Sequence, residues 1–157
     1  MSDFDVISKI SEELKSQIFS ALDGTPSADF GLTAGAESIT LQSPADTHAD
    51  SVKASIYLYH IDIDMHLRNQ NPLPDRSRDD QFHKPPMPLQ LRYLFTPLAG
   101  NEPDNHAVLG RVFQHFHDAP TITSLGGTPL DDSRGGASRA LRVRPDLLTI
   151  EQLSQIW

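Results

Sequence analysis

A chain of 157 residues with a formal net charge of −8 and no cysteine is long enough to bury a core within one domain, residues 1–157, and carries neither a disulfide framework nor thiol chemistry. The acidic balance disfavours nucleic acid and anionic membrane surfaces as partners, and no apolar run approaches the roughly 20 residues that span a bilayer. The opening MSDFDVISKISEEL has no basic segment followed by an apolar one, so the expectation is a protein made and kept in the cytoplasm.

In chain order, Ser2 to Leu22 reads as a helix. Ser2 is placed to cap it, Asp3 and Asp5 suit the positive end of the helix dipole, and Ile7, Ile10, Leu14, Ile18 and Leu22 fall on one stripe. Gly24 and Pro26 stop it. Thr25 to Ala36 is loop by composition, Ser38 to Leu41 a short strand, and Pro44 to Asp50 a turn. In Ala54 to Asn69 both alternating sets are largely apolar, Val52, Ala54, Ile56 and Leu58 on one face and Tyr57, Tyr59, Ile61 and Ile63 on the other. That pattern predicts a central strand. Its His60 then shares the face of Ile56 and Leu58 and reads as a hydrogen-bonded core residue.

Residues 66–87 show no apolar periodicity and are rich in Pro and charge. A polar connection of that length between two core strands predicts an interaction loop. Pro85 to Leu98 follows, with Leu89, Leu91, Tyr93 and Phe95 alternating against Gln90, Arg92 and Thr96, a strand of the same sheet with one wetter face. A second helix is predicted from about Pro103 to Ala119, with Val108, Leu109, Val112, Phe113 and Phe116 on its buried face and Pro120 ending it. Its His115 and His117 are two residues apart and cannot chelate one ion. Thr121 to Ser138, with two Gly-Gly pairs, reads as a flexible surface loop that lacks the motif of a phosphate cradle. Leu141 to Leu147 is a short strand, and the capping box Thr149-Ile-Glu-Gln152 opens a last helix that closes on Trp157. The order predicts an α/β (α+β) fold, a mixed central β-sheet flanked by helices.

No nucleophile has a recognisable setting, and the residues point to no cofactor, metal or catalytic centre. The one His/Asp cluster is HIDIDMH. If the strand ran far enough, His60, Asp62, Asp64 and His66 would line one face in a geometry able to hold a divalent ion. That leaves a small metal- or ligand-binding enzyme domain as the alternative reading. Against it, a strand ending near Ile63 makes these solvated residues. Arg134, Arg139, Arg142 and Arg144 concentrate positive charge without interleaved aromatics, which favours subunit pairing or solvation over nucleic acid.

Four blocks in this order, YLYHIDIDMHLRNQNPLP, PPMPLQLRYLFTPLAG, HAVLGRVFQHFHDAP and LRVRPDLLTIEQLSQIW, resemble the cap or tail-terminator family of extracellular contractile injection systems, the antifeeding-prophage and virulence-cassette class. The specific signals are a strand ending in Leu-Arg-Asn and a Pro-Pro-x-Pro-Leu lead into a strand ending Tyr-Leu-x-Thr-Pro. The resemblance implies a tail-terminator-like fold with no enzymatic activity, acting as a structural cap. It implies a homo-oligomeric ring, a hexamer, that ends the inner tube and outer sheath of a phage tail-like particle, with the sheath protein and inner tube protein as partners and no nucleic acid or membrane. Assembly would be cytoplasmic, with release from the cell as part of the particle. The interface residues it suggests are Phe4, Ile7, Ile10, Leu67, Arg68, Asn69, Arg76, Arg78, Arg142 and Arg144. Two departures stand out. Arg76 to Lys84 lengthens the loop, and the family's strand beyond Trp157 is absent, which leads to the expectation of a sheet edge open to a strand from another chain.

Overall fold

A computed structural model describes residues 5–25, 30, 32, 35–47, 51–64, 73–74, 82–83, 88–130, 140–146, 151 and 154. The first helix, α1, spans Val6–Asp23. Its start differs from the expectation: Asp5 occupies the N-cap position without a side-chain cap bond, its carboxylate instead pairing with Lys9 at 2.8 Å, and Ser2 lies outside the described residues. The stripe is as the periodicity requires. Leu14, Ile18 and Leu22 are buried and Ile10 packs against the core, while Ser11 and Ala21 complete the buried arc. Buried Ser11 is satisfied twice, its hydroxyl lying 3.1 Å from the Ile7 carbonyl and 2.8 Å from the Tyr93 hydroxyl.

After a 3-10 turn at Gly35–Ser38, strand β1 is the pair Ile39–Thr40. A second 3-10 turn, Pro44–Asp46, is capped by Ser43 and leads into β2, Ala54–Ile63. Two-residue strands β3, Leu73–Pro74, and β4, Phe82–His83, pair with each other within the long connection. Strand β5 is Leu89–Pro97, and helix α2 is Glu102–Asp118. Asn101 caps α2 by accepting from the Asp104 N–H at 2.9 Å, with Pro103 in the first turn where its missing N–H costs nothing.

The central sheet has the order β1-β2-β5. The β1/β2 pair is parallel and the β2/β5 pair antiparallel, so the sheet is mixed and β2 is its middle strand, an α+β arrangement with α1 and α2 on one face. The core joins Leu14, Ile18 and Leu22 of α1 with Ile39, Ala54 and Ile56 of the sheet and Val108, Val112 and Phe116 of α2. The two helices are also tied by Arg111, whose Nε donates to the Ala21 carbonyl at 3.0 Å and to the Thr25 hydroxyl at 2.8 Å.

The expected flexible loop after α2 is instead ordered structure over Thr121–Pro129. Strand β6, Thr121–Ile122, pairs antiparallel with β9, Leu141–Arg142. Strands β7, Ser124–Leu125, and β8, Thr128–Pro129, form a hairpin. Its turn is Gly126-Gly127, with φ of 55° and 76°, the left-handed pair that a two-residue hairpin turn needs and glycine supplies at little cost. Ile122 and Leu125 are buried in the core, and the Gly126 N–H is held by Glu13 of α1 at 3.1 Å. The strand expected over Leu141 to Leu147 shortens to Leu141–Arg142. Of the last predicted helix, Glu151 and Ser154 are described and helical.

Phe113 is the other departure. It is 51% exposed although it was expected on the buried face of α2. At 100° per residue the arc of Val108, Val112 and Phe116 is centred near Val112, and Phe113 falls a full step to one side of it.

Candidate interaction surface

The β2/β5 ladder pairs Ile56 with Phe95, Tyr57 with Leu94 and Leu58 with Tyr93, then His60 with Arg92, Ile61 with Leu91 and Ile63 with Leu89. The step from Leu58 to His60 against one step on β5 is a bulge at Tyr59. One extra residue exchanges the two faces beyond it. Ile61 and Ile63 therefore join Ala54, Ile56 and Leu58 on the helix face, and His60 and Asp62 go to the other. This corrects the placement of His60. It is exposed, because the bulge gives its place on the helix face to Ile61. The doubly apolar pattern in the sequence is one apolar face interrupted by a register shift.

The same register identifies the groups on the outer side of β5. The Leu98 N–H donates to the Lys53 carbonyl at 2.7 Å and the Asp64 N–H to the Pro88 carbonyl at 3.0 Å. Those bonds flank the pairs Ala54–Pro97 and Ile63–Leu89, which are therefore the non-hydrogen-bonded kind. Their own backbone groups point away from the partner strand. Along β5, Leu89, Leu91, Tyr93 and Phe95 thus turn N–H and C=O outward, and Pro97 its C=O. Among the described residues no strand pairs with that side. Pro97 sits where its missing N–H breaks no ladder bond.

The far end of this ribbon is apolar and wet. Ile61 is 46%, Ile63 41% and Leu89 42% exposed, all on the helix face. On the opposite face Arg92 pairs with Asp146 at 3.1 Å, a partly exposed contact worth at most about 1 kcal/mol.

Of the residues expected at an interface, Ile10 packs on the chain's own core and Ile7 is half-buried. Arg142 and Arg144 are exposed. Phe4, Leu67, Arg68, Asn69, Arg76 and Arg78 lie outside the described residues. Of the His/Asp cluster, β2 ends at Ile63 and His60 and Asp62 are exposed on it, the Asp62 carboxylate accepting from the Ile63 N–H at 2.7 Å. His66 lies outside the described residues, and among those described no group of three or more His, Asp or Glu is placed to hold a metal ion. No described helix is long and apolar enough to cross a membrane.

The most perturbed histidine is His115. Burial and the neighbouring Arg111 charge push its pKa below the ordinary value, with Asp118 opposing. Its Nε2 is buried without a hydrogen-bond partner. Its ring lies edge-on to Phe116 with centroids 5.1 Å apart, so the shift belongs to packing. Burial likewise raises Tyr93, against the bond from Ser11.

A side of β5 unpaired among the described residues, with an apolar strip at its end, is a surface suited to contact with another chain. The sequence comparison agrees in class. The family model of the Pvc16 N-terminal domain matches residues 7–157, nearly the whole chain, and the protein belongs to that family. It is thereby a protein associated with phage-tail-like contractile injection systems of the antifeeding-prophage type. Comparison with curated proteins gives no match.

Proposed function

We propose that this protein is the cap, or tail terminator, of a contractile phage-tail-like particle, and that it acts by geometry rather than chemistry. Identical subunits close into a six-fold ring on the last layer of inner tube and outer sheath. A heterologous contact that closes into a ring ends an assembly that would otherwise grow as an open helix. The observation that carries this reading is the family match over residues 7–157, and the open side of β5 supports it.

An unpaired edge is a template for an extended segment of another chain. On this reading the β5 edge takes such a segment from a sheath subunit of the last layer, while the 66–87 connection and the exposed Arg142 and Arg144 contact tube or neighbouring cap subunits. Assembly takes place in the cytoplasm, and the cap leaves the cell only with the particle. The test is electron microscopy of particles produced with the gene deleted. The expected result is tubes and sheaths of uncontrolled length, restored to uniform length by the wild-type gene. Particles of normal, uniform length in the deletion would overturn the proposal.

A further inference from the structure

We draw no further inference here: the strongest candidate, the exposed apolar strip of Ile61, Ile63 and Leu89 at the end of the β2/β5 ribbon, carries none, because nothing among the described residues shows what covers it.

Discussion

Replacing Arg111 tests how the two helices are held. The Arg111 Nε is shared between the Ala21 carbonyl at 3.0 Å and the Thr25 hydroxyl at 2.8 Å, and Thr25 itself donates to Ala21 at 2.9 Å. Helix α1 ends at Gly24 with φ of −75°, so the left-handed closure that usually satisfies terminal carbonyls is not used. The guanidinium stands in for it. Arg111→Met keeps most of the stem and removes the donor. A charged donor to a backbone carbonyl contributes about 1.5–3 kcal/mol, and a cation at a helix C-terminus about 0.3–1 kcal/mol more. Arg111 is half-buried, which favours the lower end, so the expected loss is about 2 kcal/mol. For a chain of this size that lowers the melting temperature by roughly 4–8 °C. Urea denaturation of wild type, Arg111→Met, Thr25→Val and the double variant closes a cycle in which the two losses should be strongly non-additive. A loss within about 0.5 kcal/mol of zero for Arg111→Met, the range of an ordinary surface change, would refute the capping role.

The His115 and His60 environments give two more predictions. In the folded state the His115 pKa is lowered, mainly by burial and then by Arg111. The unfolded chain therefore binds its proton more tightly, so stability is at its maximum above about pH 6.5 and falls as pH drops through the folded-state value. In His115→Gln the acid-side loss attributable to this group should disappear, as followed by denaturation midpoints at a series of pH values. An unchanged pH profile would contradict the burial argument. His60→Ala should alter stability by no more than about 0.5 kcal/mol, because the bulge has put that side chain in solvent. Ile18→Ala, at a fully enclosed position, should cost about 3 kcal/mol. Similar midpoints for the two variants in urea would show that His60 belongs to the core.

The sequence revealed the parts whose periodicity is uninterrupted. The Leu14, Ile18 and Leu22 stripe, the central position of Ala54 to Ile63 and the alternation of Leu89 to Phe95 follow from spacing alone. The exposure of His60 is not legible in the sequence, because a bulge leaves no mark in a run such as IYLYHIDI, where either face can be apolar. The shift exists only in the pairing with β5. Phe113 follows Val112 directly and so reads with the apolar stripe in the sequence, whereas its angle puts it at the margin. The β7/β8 hairpin did carry a signal. Gly126-Gly127 between Thr-Ser-Leu and Thr-Pro-Leu is the pattern of a two-residue turn, but the short flanking strands of two residues each gave little alternation to weigh against a glycine-rich loop. The expectation of an open sheet edge named no strand; among the described residues the unpaired side is that of β5, and the register establishes which of its groups are turned outward.

The exposed end of the ribbon follows from lengths. The Ser11–Tyr93 bond fixes α1 against the sheet, and α1 begins at Val6, five residues earlier, which at about 1.5 Å per residue carries it roughly 7 Å past Tyr93. From Tyr93 to Leu89, β5 advances four residues at about 3.3 Å each, or roughly 13 Å. The strand outruns the helix by about one turn's pitch, and Ile61, Ile63 and Leu89 are the residues left uncovered. The bulge deepens that exposure, because without it Ile61 and Ile63 would lie on the face of Tyr57. The half of the sheet from Ala54 to Leu58 is thus committed to the chain's own core, and the half from Ile61 to Ile63 contributes little to it. Substitutions in the second half are therefore free to alter the exposed surface without first unfolding the protein.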